Sequence, residues 1–252
     1  MMLFRKSTEL TDEEQIEKLC SAINIREQSI RPHLLSATNK ISNEGYAQKF
    51  IQQCLPLLVN APFKPNSMSY RQTVILFNKL VSSVTNCDVL MVEGFIDFVK
   101  HAAKNEHACI SIPACNTIVK LIVYSAICQT TSEDLFSDPF ILISAIKSGI
   151  STFDTQQQLD AIRALTFLKS KMNVSPDLEM CDKLTSLFCN SSTPFVTKQV
   201  AELITYLSKD DPEFQEKALC FISEIVTEDK PLPAARCWEE VSYLINLSKS
   251  FV

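Results

Sequence analysis

The side chains best suited to catalysis or metal binding are few and poorly spaced for it. Of three histidines, His101 and His107 lie six residues apart, which does not place them on one helical face. The acidic run Asp210-Asp211-Pro212-Glu213 is interrupted by its proline, and Asp211 before a proline fits a helix N-cap. We therefore predict no enzyme activity, no metal and no cofactor. An all-helical enzyme with an acidic site remains the alternative from the catalytic class.

Ten cysteines are the other reactive groups, and none forms a CxxC pair. Several lie among apolar residues at helical spacing, such as Cys20 beside Ile16 and Ile23, so they are expected to behave as small buried hydrophobes. The start of the sequence turns polar at once, and the longest apolar stretches look too short to span a bilayer. These features predict ten reduced thiols, no membrane insertion, and a cytoplasmic location, with the nucleus as a second candidate.

Composition points to helices. Three glycines in 252 residues are too few for phosphate-cradling loops or many β-hairpins, and the 46% apolar content can build a core. The net charge of −5 argues against a general nucleic-acid binder. Charge is uneven: residues 1–130 hold 13 basic and 11 acidic side chains, a net of +2, and residues 131–252 hold 11 and 18, a net of −7.

Helix-start signals recur along the chain. Thr11 and Glu14 have the spacing of a capping box, and four pairs place a polar residue before proline, at 138–139, 175–176, 193–194 and 211–212. Residues 1–10 read as a tail and 11–252 as one helical domain without strands. The predicted helices are 11–24, 29–42, 44–59, 67–85, 88–104, 113–129, 139–148, 155–172, 176–189, 194–208, 212–227 and 233–250.

The ends of alternate helices repeat. Six apolar anchors fall 43, 43, 41, 39 and 40 residues apart: Ile41, Val84, Ile127, Leu168, Leu207 and Leu247. Six units of about 41 residues account for nearly the whole chain, and a period in this range is typical of armadillo or HEAT arrays.

Two segments carry a family resemblance. Tyr243-Leu244-Ile245-Asn246-Leu247-Ser248 resembles the end of the third helix of an armadillo repeat, and residues 90–99, which contain Gly94, resemble the second helix and the glycine before it. The chain thus resembles the armadillo-like superfamily. The resemblance implies an all-α, right-handed superhelix of about six armadillo/HEAT-like repeats, in which the last helix of each repeat lines a concave groove.

The resemblance to armadillo proteins implies that the groove is lined by the residues one and five positions before each anchor. Applied here, they predict a partner-binding set of Lys79, Ile122, Arg163, Phe167, Glu202, Tyr206 and Asn246. Ile122 and Phe167 would be apolar anchors at its middle, which suits a protein partner with an amphipathic or extended peptide segment. The predicted function is a non-catalytic scaffold or adaptor. A chaperone or complex-assembly factor that grips a folded client is the alternative among binding proteins.

Overall fold

The structure is a computed structural model, and it describes residues 10–23, 27–83, 92–128, 133–172, 174 and 176–226. Over these residues the chain forms helices and no strand. The helices are α1 (Asp12–Ile23), α2 (Glu27–Lys40), α3 (Glu44–Gln53), α4 (Leu55–Val59), α5 (Met68–Ser83), α6 (Phe95–Ala103), α7 (Ala108–Cys128), α8 (Glu133–Phe136), α9 (Pro139–Ile150), α10 (Thr155–Met172), α11 (Leu178–Asn190), α12 (Pro194–Ser208) and α13 (Pro212–Val226).

Side-chain caps set several of the predicted helix starts, whereas Thr193, before Pro194 of α12, makes no side-chain cap bond. The Thr11 amide donates to Glu14 Oε2 at 2.8 Å and the Glu14 amide donates to Thr11 Oγ1 at 3.2 Å, so the capping box is confirmed. Asp138 caps α9 by accepting from the Ile141 amide. At the second pair, α11 begins at Leu178, later than predicted, because Asp177 rather than the residue before Pro176 caps it.

The contacts divide the chain into two compact units, with the boundary between Leu121 and Ile122. In unit 1, α1, α3, α4 and α6 form one row, in which α1 contacts α3 and α4, and α4 contacts α6. Helices α2 and α5 form a second row, and the first part of α7 joins it through hydrogen bonds from Lys120 to Asn78 and Ser82 of α5. We call these the first row and the second row.

Unit 2 repeats this arrangement. Helix α11 contacts α9 and α13 in its first row, and α10 contacts α12 in its second row. The core lies between the rows, and Leu142, Leu165, Leu184 and Leu203 are among its buried side chains. Because each helix contacts mainly its nearest neighbours, each unit has the packing of a helical repeat array.

Gly94 is needed at the start of α6. It is the N-cap with φ of 82°, a left-handed conformation that side-chain-bearing residues rarely adopt. A Cβ atom at this position would also lie 3.0 Å from Val59 Cγ1 of α4. The glycine thus lets the chain turn closely against α4, a neighbour of α6 in the first row.

The remaining differences from the predicted helices are local. The predicted helix 44–59 is broken at Cys54 into α3 and α4, and the short helix α8 was not predicted. Residues 1–9 and 227–252, with the predicted helix 233–250, lie outside the described residues.

Helix α7 is longer than the sequence suggests. It begins at Ala108, five residues before the predicted start, and accommodates Pro113. With 21 residues, the helix has the length and the apolar composition that a membrane-spanning helix needs, unlike the shorter apolar stretches that the sequence analysis identified. In this fold, 61% of its most apolar window is buried inside the protein, so its apolar character is used for packing.

Candidate partner-binding face

Among the described residues, the second row of unit 2 leaves one face exposed, and three of the predicted groove residues lie there. Arg163 of α10 is exposed, and its guanidinium lies 3.5 Å from Asp160 Oδ1 one turn earlier. On α12, Glu202 and Tyr206 are both half-buried. Glu202 accepts a hydrogen bond from Gln199 Nε2 at 2.8 Å. This face is polar and aromatic, and its ionic groups are balanced by neighbours on their own helices.

The second row of unit 1 places Lys79 on the corresponding stripe of α5. The accessible residues of this helix are Met68, Arg71, Gln72, Ile75, Asn78, Lys79, Ser82 and Ser83. Their spacing of three and four residues defines one continuous helical face. Gln72 Nε2 donates to Thr38 Oγ1 of α2 at 3.0 Å, and Lys120 of α7 donates to Asn78 Oδ1 at 3.1 Å. Polar bonds therefore link the three second-row helices across this face.

The apolar anchor predicted at Ile122 is wrong for this structure, because its side chain is completely buried. The predicted repeat anchor Ile127 is instead 75% exposed, whereas the anchors Ile41, Leu168 and Leu207 are fully buried. Ser125, two residues before Ile127, is buried, with only 2% of its surface exposed. Two residues turn a helix by about 200°, so placing the anchor at Ser125 moves Ile122 from the open face to the core.

Phe167 is also unavailable as an exposed anchor. Its side chain is buried, and its ring lies 6.0 Å from the ring of Phe136 in α8. Helix α8, which the sequence did not predict, thus supplies the cover. The neighbouring exposed residue of α10 is Thr166. Asn246 lies outside the described residues, and the partner-binding role of Lys79, Arg163, Glu202 and Tyr206 stays a prediction.

The acidic run before α13 has structural partners. Asp211 Oδ1 accepts from the Phe214 amide at 3.0 Å, which is an N-cap bond. Asp210 Oδ2 lies 3.6 Å from the ammonium of Lys169, whose side chain is almost completely buried. Among the residues that the structure describes, no group of three or more His, Cys, Asp and Glu side chains could hold a metal ion.

Ion pairs join the first-row helices of unit 2. Lys147 of α9 donates to Asp177 at 2.6 Å and to Glu179, and Lys217 of α13 pairs with Asp182 of α11 at 2.6 Å. Burial opposes the charge on Lys147, but the two carboxylates outweigh it and raise the pKa of its ammonium. The hydrogen bond from Lys147 lowers the pKa of Glu179. These pairs connect successive repeats on the first row, away from the open face.

Two thiols meet in unit 1. Cys20 Sγ and Cys54 Sγ lie 3.3 Å apart, longer than a disulfide bond of about 2.05 Å. Burial, and next the Cys20 thiol, raise the pKa of the Cys54 thiol. No disulfide joins any of the eight cysteines that the structure describes. Cys87 and Cys237 lie outside the described residues.

Similarity to known proteins is visible in structure and not in sequence. No protein-family model matches the sequence, and no curated protein sequence matches it. Solved structures do match. A computationally designed armadillo repeat protein for modular peptide recognition has a TM-score of 0.63 at 12% identity, over 92% of this chain and 98% of its own.

Two engineered proteins solved by the Northeast Structural Genomics Consortium are similar as well. The first has a TM-score of 0.61 at 14% identity, over 93% of this chain and 98% of its own. The second has a TM-score of 0.57 at 10% identity, over 93% of this chain and 96% of its own. The protein is therefore an all-α protein with an armadillo-like helical repeat fold, as the sequence predicts. At these identities the likeness shows the fold alone.

Proposed function

We propose that the protein is a non-catalytic interaction scaffold that binds a segment of another protein on the open face of the second row of unit 2. The observation that carries the proposal is the accessibility of Arg163, Glu202 and Tyr206 on packed, regular helices whose other faces are used in the core. A preformed surface of this kind lowers the ordering cost of binding. The likeness to armadillo repeats designed for peptide recognition supports a peptide-like ligand.

A peptide library tests the proposal. We would select binders to the whole protein from random peptides displayed on phage and measure their affinities by fluorescence anisotropy. Tyr206→Ala should weaken a selected peptide about tenfold or more, because aromatic side chains often carry binding energy. The matched control is Phe140→Ala, which removes an exposed aromatic ring from the first row. Equal effects of the two variants, or a library with no enriched peptide, would contradict the proposal.

The charged residues have a kinetic signature. Reversing the charge of Glu202 on the open face should mainly change the association rate and its salt dependence, since exposed charges steer encounter more than they hold the complex. Lys198→Glu, on the same helix but more exposed, serves as the comparison.

An assembly factor that grips a folded client is the second candidate, and one observation favours it. Phe153, two residues before α10, and Phe195, in the first turn of the neighbouring helix α12, are both exposed and lie 42 residues apart in sequence. One exposed phenylalanine per repeat on the same edge could hold a flat apolar patch of a client. Replacing both by serine should abolish binding of a folded client and leave the binding of selected peptides unaffected. If the protein is a peptide-binding scaffold instead, it binds no folded client and the double replacement has no effect on binding.

We place the protein in a reducing compartment, the cytoplasm and nucleus. The support is chemical: Cys109, Cys128 and Cys220 are exposed thiols, and such groups oxidise in secreted proteins. Fractionation of cells that express the tagged chain would test this location.

A further inference from the structure

The charges of unit 1 are separated by row. The described side chains of α2, α5 and the unit 1 part of α7 include no Asp or Glu. They carry the cations Arg31, Lys40, Arg71, Lys79 and Lys120. The first row, by contrast, has four acidic residues in α1 alone, Asp12, Glu13, Glu14 and Glu17. Among the described side chains, the second row is therefore the cationic side of unit 1; the one acidic residue within its helices is Glu27, at the start of α2.

Two of these cations, Arg71 and Lys79, are available to a ligand. Lys40 is neutralised by Asp12, whose Oδ1 lies 2.8 Å from its Nζ. Lys120 donates to oxygens of Asn78 and Ser82. Arg71 and Lys79 have no ion-pair partner among the described residues. Both side chains are only half-buried, so they can reach a carboxylate on a partner.

Helix geometry puts these groups in a line. Arg71, Ile75 and Lys79 follow each other at intervals of four residues, so they share one stripe of α5. At a rise of about 1.5 Å per residue, the two cations are separated by about 12 Å along the axis, with the accessible Ile75 between them. A ligand that matches this stripe has an apolar group in the middle and one negative group on each side of it.

The groups beside the stripe suit a peptide backbone. Gln72 uses its Nε2 and Asn78 uses its Oδ1 in the bonds to Thr38 and Lys120. Gln72 Oε1 and Asn78 Nδ2 have no partner among the described residues. One is an acceptor and the other a donor, the two groups that a peptide amide requires.

We propose that the α5 stripe of Arg71, Ile75 and Lys79, with Lys120 beside it, binds an acidic peptide segment of the partner protein. Carboxylates of the segment pair with Arg71 and Lys79, and an apolar side chain between them packs on Ile75. This inference rests on the proposed function and names the partner's chemistry. Nucleic acid fits less well, because α5 has only two aromatic rings and both are buried. Tyr70 and Phe77 are only 4% and 1% exposed, so they cannot stack on bases.

Fluorescence anisotropy with a defined probe tests the inference. The probe is a labelled peptide made of repeated Glu-Glu-Leu triplets, and the same peptide with Lys in place of Glu is the charge control. Whole protein should bind the acidic probe and not the basic one, with affinity falling as salt rises. The double variant Arg71→Glu/Lys79→Glu should weaken the acidic probe at least about tenfold, since each pair then becomes a repulsion.

A matched double variant separates this site from net charge. Lys18→Glu/Lys64→Glu makes the same charge change at two exposed residues of unit 1 outside the second row, and it should change the affinity less than twofold. Circular dichroism checks that both proteins keep their helix content and melting temperature. Equal losses from the two doubles would overturn the proposal, as would wild-type affinity of Arg71→Glu/Lys79→Glu.

Other occupants have distinct outcomes. Tighter binding of an oligo-dT strand, or of vesicles that contain phosphatidylserine, than of the acidic peptide would overturn the proposal in favour of that class of ligand. The peptides selected from the random library then decide between the two proposals. If those peptides need Tyr206 but are not acidic and ignore Arg71 and Lys79, the scaffold function stands and the acidic specificity fails.

Discussion

The hydroxyl of Tyr70 is buried without a hydrogen-bond partner among the described residues. Its ring packs 5.0 Å from that of Phe98, and burial raises the pKa of the phenol. An unpaired buried hydroxyl has lost its bonds to water and gained none in return. The ring therefore contributes to stability while its oxygen opposes it.

Removing that oxygen should not destabilise the protein. We expect Tyr70→Phe to leave the free energy of unfolding unchanged or to raise it by about 1 kcal/mol, because only the desolvation cost is removed. Urea unfolding followed by circular dichroism measures this. Tyr206→Phe, at a half-buried position, is the control and should have almost no effect. A loss of stability in Tyr70→Phe alone would show that the hydroxyl has a partner.

Thiol reactivity should follow burial. The thiolate is the reactive form, and burial raises the pKa of Cys54, and that of Cys181 to about 11. At neutral pH we expect the exposed Cys109 and Cys220 to be alkylated well before these two. Mass spectrometry of peptides from the briefly alkylated, unreduced protein gives the order.

After unfolding without a reductant, all ten cysteines should accept a label. This count tests the prediction that the whole chain is reduced, including the pair Cys20 and Cys54, whose sulfurs lie 3.3 Å apart. A reproducible deficit of two labels would identify a disulfide and refute the prediction.

At the scale of helices, ion pairs between repeats should make stability depend on pH. Asp177 and Glu179 have lowered pKa values in the folded protein, so their contribution is present above about pH 4.5 and is lost as the pH falls through the folded values. Lys147, whose pKa is raised, contributes below its ordinary value of 10.5 and loses this contribution only as pH rises through the folded value.

Lys147→Met isolates this interaction. At pH 7 it should lower the free energy of unfolding by no more than about 1 kcal/mol, because solvent screens the exposed carboxylates. The difference from wild type should shrink at acidic pH, where both carboxylates become protonated. Urea titrations at several pH values measure it, with Lys183→Met, whose nearest carboxylate oxygen is 3.7 Å away, as a weaker comparison. A difference that does not change with pH would assign the effect to packing alone.

Helix α10 offers a matched pair of substitutions two residues apart. Leu165 is completely buried, so Leu165→Ala should cost roughly 2–5 kcal/mol. Arg163 is half exposed on the open face, and Arg163→Ala should cost far less. Chemical denaturation of both variants measures the contrast. Large and equal losses would mean that the two faces of α10 are assigned wrongly.

At the scale of the whole molecule, repeat packing should keep the effect of a core substitution close to its site. Each helix contacts mainly its nearest neighbours, so a defect in one repeat is felt first by the adjacent ones. Leu165→Ala should therefore reduce hydrogen-exchange protection in α9 to α12 more than in α1 to α5. Mass spectrometry of exchanged peptides gives the profile, and a uniform loss along the chain would indicate a single cooperative unit.

The sequence predicted the helices well because their signals are local. The capping box at Thr11 and Glu14 and the N-cap Asp138 depend on residues three positions away, and the structure contains both. The period of about 41 residues likewise predicted the repeat fold, since it reflects which side chains each unit must bury. The acid-free composition of α5 and α7 could also have been read from the sequence, and would have pointed to Arg71 and Lys120.

The register of the open face was decided by tertiary packing. In α7 the sequence offers Ile127 as an apolar anchor, yet the buried place is taken by Ser125, and Ile127 lies exposed near the helix end. Phe167 was expected on the open face, but the short helix α8 covers it with Phe136. Helical periodicity is local and determines which residues share a stripe. Which stripe stays open depends on neighbouring helices distant in sequence, so only the tertiary structure could decide it.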